Sequence, residues 1–448
     1  MKQPGLSWWG IVRLGLVQTA LGAVVVLTTS TINRVMIVEL ALPAMLPGIL
    51  VAWHYALQVL RPRWGHGSDL GGLRAKWIIS GMAVLGAGGI CAAASVQIMT
   101  GSVIAGIVLA TVAFTLIGIG VGAAGTSLLV LLAKSVAEKR RAAAATIVWI
   151  MMIAGFVVTA AAAGHFLDPF SPPRLLAIAS VICGLAFLLT LIAVWGVEAS
   201  VSETFSSPPA RTRTSFRVAV TEAWSEPLAR RFAIFIFVSM LAYSAQDLIL
   251  EPFAGIVFGY SPGQSTSLSS IQNASVLIGM ILVGVAGTVR NRNRALVLRT
   301  WTIAGCFASA LALVGLVAAA LVGPGWPLKT TVFALGFANG IFAVAAIGSM
   351  FSLASHGGAP REGVRMGIFG AAQAIAFGLG GFCGTVMFDA IRFLVGMPTV
   401  AYAAVFALEA CMFVLAASLA LRIGKTEPAS QGNPLILAAR YNVATRGH

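Results

Sequence analysis

Residues 61–77 of the chain read RPRWGHGSDLGGLRAKW, and the fold can be inferred outward from this segment. It is short, polar and basic, and a long apolar run lies on each side of it. A bilayer-spanning helix needs about 20 mostly apolar residues, so this contrast marks a membrane surface between two spans. The positive charge of the loop also indicates which surface, because basic residues collect in cytoplasmic loops.

The composition of the whole chain is that of a membrane protein. Its 448 residues are 58% hydrophobic and 10% charged, whereas soluble domains contain about 25% charged residues. The net charge of +15 comes from basic residues scattered through the loops, so it indicates membrane topology and no nucleic-acid partner. The five cysteines all lie in apolar runs without a C-x-x-C pair, which argues against a metal site or a disulfide.

Apolar runs predict an all-α polytopic membrane protein with twelve transmembrane helices in two six-helix pseudo-repeats. The longest connection, 198–231, contains SSPPARTR and is predicted to be a cytoplasmic linker. It separates an N-terminal six-helix bundle (1–197) from a C-terminal six-helix bundle (232–421), which a cytoplasmic tail (422–448) follows. The predicted spans are 14–34, 43–60, 77–97, 103–132, 143–164, 175–197, 232–256, 268–289, 300–322, 330–353, 366–388 and 398–421.

The basic residues orient these spans. Only Arg34, Arg174, Lys329 and Arg392 fall on one side of the membrane, and the other 25 of the 29 Lys and Arg residues fall on the opposite side. This asymmetry predicts that both termini are cytoplasmic.

The loop 61–77 resembles the signature loop of the major facilitator superfamily, and the resemblance implies that fold. The matching residues are Gly65, Asp69, Gly72 and Arg74. In the family this loop latches the two bundles together during rocking. Glycines let helix ends approach closely, and a carboxylate can hold a helix N-terminus or an arginine. Leu70 and Leu73 stand where the family has basic residues, and a plain basic turn is the alternative interpretation.

Four longer stretches resemble the bacteriochlorophyll-delivery, or PucC/LhaA-type, proteins of photosynthetic bacteria. They are NRVMIVELALPA (33–44) with HYALQVLRPR (54–63), QDLILEPFAG (246–255), GIFAVAAIG (340–348), and REG (361–363) with MGIFGAAQAIAFGLGG (366–381). The resemblance implies a light-harvesting complex assembly factor that binds or delivers bacteriochlorophyll in the inner, intracytoplasmic membrane. The implied partners are light-harvesting antenna polypeptides or the core complex, bacteriochlorophyll synthase, and membrane lipid.

Polar residues inside the spans are candidate site residues, because they are costly in lipid and usually face the bundle interior. One polar cluster is predicted near the outer ends of the first and seventh spans, which head the two halves and are related by pseudo-symmetry. Its members are Arg34, Glu39, Gln246, Asp247 and Glu251.

Two further expectations concern the seventh span. Asp247 and Glu251 are four residues apart and are expected on one helix face, and Pro252 is expected to break the helix after them. The polar cluster is interpreted either as a gate or pigment head-group contact, or as ion pairing and capping between helices, such as Arg34 with Glu251.

The candidate pigment site is His54 with its neighbours Trp53 and Tyr55. A neutral imidazole is a good metal ligand, a chlorin magnesium is commonly held this way, and aromatic side chains suit a large flat ring. A hydrogen-bonded core histidine is the alternative. Glu409 lies in the middle of the last span and is either a proton-sensitive group or bonded to a neighbouring helix. No structural cofactor is expected, only a transient bacteriochlorophyll.

Glycine-rich faces occur in GIGVGAAG (118–125) and GLGGFCG (378–384). Small residues at this spacing predict close helix packing. A groove for an isoprenoid tail or a partner helix is the alternative interpretation.

Two functions remain open: a pigment-handling assembly factor, and a proton-coupled secondary transporter of a small or hydrophobic solute. A transporter is expected to line a midplane cavity with charged or polar groups. The fourth, fifth, eighth and tenth predicted spans contain no charged residue, which favours an apolar client. No nucleotide loop, zinc motif or nucleophile triad appears, so we expect no enzymatic activity.

Overall fold

The computed structural model describes residues 6–58, 74–137, 140–197, 224–289, 294–355 and 359–423. In these ranges the chain is all-α, and eleven helical segments are long and apolar enough to cross a bilayer. The predicted second span corresponds to a shorter apolar helix, Met45–Leu57, and its continuation (59–73) lies outside the described residues. The prediction of an all-α, multi-pass membrane protein is confirmed.

Six helices form the described part of the N-terminal half. The first is extended at its end by two π-helical segments, Leu27–Ile32 and Val35–Glu39. The six are α1 (Trp8–Val26), α2 (Met45–Leu57), α3 (Arg74–Met99), α4 (Val103–Ser135), α5 (Arg141–Phe166) and α6 (Pro172–Val194).

Seven helices form the described part of the C-terminal half, because its first span is interrupted. They are α7 (Pro227–Ala245), α8 (Leu250–Phe258), α9 (Pro262–Val289), α10 (Arg294–Val322), α11 (Leu328–Ser355), α12 (Ala359–Val395) and α13 (Pro398–Ile423). The end of the molecule away from Trp8 and Ile423 is called the distal end below.

Each half has its own hydrophobic core. In the N-terminal half the core contains buried residues such as Leu14 and Phe114, and in the C-terminal half it contains Phe235 and Phe413. The spans are apolar around most of their circumference, because their outer faces meet lipid rather than water. Which face is buried is therefore decided by packing between helices. The predicted linker (198–231) and tail (422–448) fall mostly outside the described residues.

The two halves meet along two helix pairs, α2 with α12 and α5 with α9. Small residues allow these helices to approach: Gly48 of α2 lies against Thr385, and Gly164 of α5 lies against Ser267. In a membrane, helix association depends on such close packing, because lipid gives no hydrophobic drive for it.

The glycine-rich face at 118–125 packs as predicted. A Cβ added at Gly120 would lie 2.6 Å from the backbone nitrogen of Leu85 on α3, so α3 and α4 meet backbone to backbone. Gly118 lies equally close to the backbone of α2. These glycines are therefore occupied by helix packing and leave no groove at that point.

We expect Gly120→Ala to destabilise the protein by about 1–3 kcal/mol, the usual cost of overpacking a close contact. The matched control is Gly184→Ala on α6, where an added Cβ meets nothing within 4 Å. Thermal unfolding of both variants in detergent checks this. Equal melting temperatures for the two variants would contradict the packing described.

Candidate functional site between the two halves

The π-helical end of the first span carries a row of polar side chains to the C-terminal half. Ser30 Oγ donates to Glu251 Oε1 at 2.6 Å, and Thr31 lies 3.3 Å from the hydroxyl of Thr266. Asn33 Nδ2 donates to the carbonyl oxygen of Leu248 at 2.7 Å. π-Helical segments inside α-helices often mark functional sites. Here Ser30, Thr31 and Asn33, which are almost consecutive, all reach residues of the C-terminal half.

Glu251 is the centre of this contact. It is 1% exposed, and its Oε1 accepts hydrogen bonds from Ser30 Oγ at 2.6 Å and from Ser269 Oγ at 2.5 Å. One carboxylate oxygen thus joins the end of the first span, α8 and α9. Removal of a buried acceptor leaves its donors unsatisfied, which usually costs more than the bond itself is worth.

Arg34 supplies a positive charge to the same region. Its Nη1 pairs with Glu39 Oε1 at 2.5 Å, and its Nη2 donates to the carbonyl oxygen of Tyr260 at 2.7 Å. Arg34 therefore forms its ion pair with Glu39 and not with Glu251. Glu251 nevertheless lies within electrostatic reach of the guanidinium. A Cβ at Gly255 would come 3.0 Å from Nη2, so α8 approaches Arg34 because residue 255 is glycine.

The seventh span is broken at a different place from the one predicted. α7 ends at Ala245, a single 3₁₀ turn covers Gln246–Leu248, and α8 begins at Leu250. Pro252 lies in the first turn of α8, where proline is tolerated because its missing N–H has no helical partner. The expectation that Pro252 breaks the helix is therefore wrong.

The break also separates Asp247 from Glu251. Glu251 is buried against the N-terminal half, whereas Asp247 is exposed. The expectation that the two carboxylates share a helix face is wrong, because that rule assumes an uninterrupted α-helix. Gln246 is completely buried, and its amide oxygen and nitrogen have no hydrogen-bond partner among the described residues.

A second distal contact, which was not predicted, is made by Asp168. Its Oδ2 accepts from Ser261 Oγ at 2.6 Å, and its Oδ1 accepts from the backbone nitrogen of Gly263 at 3.1 Å. Asp168 follows α5, and its partners stand at the start of α9, so this carboxylate caps a helix of the other half. The only signal in the sequence was an acidic residue in a short loop after a span.

The candidate pigment residues point in different directions. His54 is 1% exposed, its Nδ1 lies 3.2 Å from the carbonyl oxygen of Val51, and its Nε2 lies 3.0 Å from Gln58 Nε2. Trp53 is 45% exposed, and its Nε1 donates to Thr115 Oγ1 at 2.9 Å. Tyr55 packs against the C-terminal half, on Phe377 of α12.

Tyr55 belongs to a set of three half-buried rings between the two halves. It stacks on Phe377 of α12, with centroids 5.9 Å apart, and Phe377 meets Tyr243 of α7 edge to face at 5.9 Å. Asp247 lies one turn beyond Tyr243 and within electrostatic reach of it. An exposed carboxylate so close to rings from both halves faces the space between the halves rather than lipid.

The loop motif lies almost entirely outside the described residues. Of its four residues only Arg74 is described, as the first residue of α3. Gly65, Asp69 and Gly72 are not described, so their role as a latch stays a prediction.

We expect Glu251→Ala to loosen the distal contact, because Ser30 and Ser269 lose their shared acceptor, at a cost of about 1–3 kcal/mol. The measurement is a pulsed electron-spin distance between labels at Ile104 and Phe393, which are exposed distal positions of the two halves. A cysteine-free background is used. The distance distribution should become longer and broader in Glu251→Ala.

The control for this measurement is Glu226→Gln, which changes a carboxylate at the opposite end of the molecule, before α7. It should keep the distribution of the unmodified protein. An unchanged distribution in Glu251→Ala would show that this contact does not hold the halves together.

The sequence matches known proteins along most of its length. The model of the PUCC protein family matches residues 31–427. A Rhodobacter capsulatus protein named bacteriochlorophyll synthase 44.5 kDa chain is 50% identical over 415 residues, 93% of this chain and 95% of that protein. Protein PucC of the same organism is 28% identical over 433 residues, 93% of this chain and 92% of that protein.

The fold matches a solved transporter structure. A bacterial homologue of the human lysosomal transporter Spinster superposes with a TM-score of 0.70 at 17% identity, covering 93% of this chain and 97% of that one. This likeness shows the major facilitator fold, as predicted from the span count and the loop motif. Since the family model covers far more than half of the sequence, the chain belongs to the PUCC protein family.

Proposed function

We propose that this protein is a light-harvesting complex assembly factor, which binds bacteriochlorophyll or a precursor and delivers it to antenna polypeptides in a photosynthetic bacterium. The observation that carries the proposal is the match to the PUCC protein family over residues 31–427. A relative that is 50% identical along almost its whole length is named for bacteriochlorophyll synthesis, which supports a client from that chemistry.

The protein is proposed to act beside the synthase and not as its catalytic subunit. The transporter-like fold supports this role, since such folds move or hold a client between two halves. Glu251 and Arg34, the buried charged residues at the distal contact, are already bonded within the protein. The proposed partners are antenna polypeptides or the core complex, and bacteriochlorophyll synthase.

His54 does not fit the role of a magnesium ligand in this conformation. Its ring is buried and both nitrogens lie within hydrogen-bonding distance of groups of its own helix. Ligation through His54 would first require the contact with Gln58 to break. His54 as a pigment ligand stays a hypothesis, and no step of the proposed function depends on it.

The three rings of Tyr55, Phe377 and Tyr243 fit a flat pigment better. They are half-buried, come from both halves and border the space that Asp247 faces. Aromatic rings prefer offset or edge-to-face contact with one another and with other flat π-systems. These side chains are the ones that would hold a tetrapyrrole ring between the halves.

The proposed location is the bacterial inner, intracytoplasmic membrane, with both termini in the cytoplasm. The lopsided distribution of Lys and Arg supports this orientation. The distal contact around Glu251 then lies toward the periplasm, and the space between the halves is closed on that side.

A secondary transporter of a small or hydrophobic solute is a second candidate. The observation that favours it is Asp247, an exposed carboxylate at a broken span between the two halves of a transporter fold. Solute uptake into vesicles that contain the purified protein, with and without a proton gradient, distinguishes it from pigment handling.

We expect the protein, purified in mild detergent from a photosynthetic host, to carry bacteriochlorophyll or a precursor, or to retain antenna or synthase subunits. Absorption spectroscopy and mass spectrometry check this. Colourless protein without such partners would contradict the proposed function.

Within that experiment, Tyr55→Leu combined with Phe377→Leu should weaken pigment retention roughly tenfold, since each aromatic contact is worth about 0.5–1.5 kcal/mol. The matched control is Trp53→Leu, which changes an exposed ring on the other side of the same helix. His54→Leu decides the ligand hypothesis, because unchanged pigment absorption would exclude His54 as the magnesium ligand.

A further inference from the structure

Glu409 is a buried carboxyl group that the distal contact does not use. It lies in the middle of α13 and is 1% exposed. Neither of its carboxyl oxygens has a hydrogen-bond partner among the described residues. A charge buried without a partner costs several kcal/mol even after relaxation, and a bound proton removes that charge.

Asp247 is an exposed carboxylate near the helix that carries Glu409. It stands at the 3₁₀ turn directly after α7, and α7 packs against α13. Gln246 beside it is completely buried with both amide atoms unpartnered. The C-terminal half thus contains an exposed carboxylate, a buried unpartnered amide and a buried unpartnered carboxyl group on two helical segments, α7 with its 3₁₀ turn and α13.

Several other ionisable groups lie on α13 and on the elements packed against it. Arg299 of α10 donates to the carbonyl oxygens of Ala420 and Leu421, far from residue 409 along the helix. The remaining charged or titratable side chains on these described elements are Tyr243, Glu251, Cys306, Cys383, Asp389, Arg392, Tyr402, Cys411 and Arg422, together with Arg230 and Arg231 at the start of α7.

We propose that Glu409 and Asp247 form a proton-binding site in the C-terminal half, loaded from the space between the halves. The proton passes from water to the Asp247 carboxylate, and then to Glu409 through intervening water. One O–H bond breaks and one forms at each transfer, so Asp247 returns to its carboxylate form when Glu409 becomes neutral. Carboxyl groups buried in membrane spans commonly serve as proton relays.

Infrared difference spectroscopy of the purified full-length protein in lipid nanodiscs tests this site. Lowering the pH from an alkaline starting point should produce a protonated-carboxyl C=O band that shifts in heavy water. Glu409→Gln should abolish that band, whereas Asp247→Asn should keep it and slow its exchange in heavy water. The matched control is Asp389→Asn, a carboxylate at the distal end that accepts from the backbone nitrogen of Met45, and it should keep both the band and its rate.

A band that persists in Glu409→Gln, or one that neither titrates nor exchanges, would overturn the proposal. If Glu409→Gln fails to fold, Glu409→Asp replaces it, and the proposal then requires that the band shift in frequency. The proton site does not depend on pigment handling. Protein that carries pigment but lacks the titrating band would overturn the proton site alone. Colourless protein with a titrating band would overturn the pigment function alone.

Discussion

Polar side chains that enter a membrane must find partners inside the protein, and here that requirement joins the two halves. Glu251 accepts from Ser30 and Ser269, and Arg34 pairs with Glu39 and donates to the Tyr260 carbonyl. In lipid each of these groups would otherwise remain unsatisfied at a cost of several kcal/mol. The distal end is therefore held closed by the same bonds that make these residues tolerable within a span.

The helix geometry around this contact follows from the same constraint. Arg34 and Glu39 are five residues apart, a spacing that a π-helical segment brings together better than an α-helix does. The carbonyl of Leu248 is released by the interrupted seventh span, and Asn33 satisfies it from the other half. The released carbonyl thus has a partner in the other half, as the scarcity of unpaired buried backbone groups requires.

Composition and spacing were enough to predict the class of fold, because the length of an apolar span is set by the bilayer and the loop charge by topology. They were not enough to place the break in the seventh span. Pro252 is the conspicuous residue there, but it fits the first turn of α8, and the interruption at Gln246–Leu248 coincides with a contact to Asn33 on a distant part of the chain. Local propensity contains no information about such a partner.

Only part of the candidate site was predicted, because the sequence does not show which distant residues become neighbours. Arg34, Glu39 and Glu251 do lie together. Polar residues at corresponding ends of the first and seventh spans need partners inside the protein, and they find them in each other's neighbourhood. Asp168, Phe377 and Tyr243 were missed, because ordinary loop carboxylates and span aromatics gain meaning only when helices of opposite halves are placed side by side. Tyr55 was predicted, but as a neighbour of His54 and not as part of this ring set. The proposed function depends on two features of the structure. One is the closed distal end, and the other is the space between the halves, which is lined by aromatic rings and contains few charges.

The most direct measurement is a cryo-electron-microscopy reconstruction of the protein purified with its pigment from a photosynthetic host. We expect density for a flat ring between the two halves, against Tyr55 and Phe377, with the bonds from Ser30 and Ser269 to Glu251 intact at the distal end. Pigment density confined to the outer, lipid-facing surfaces of the helices, with none between the halves, would contradict pigment binding in this space.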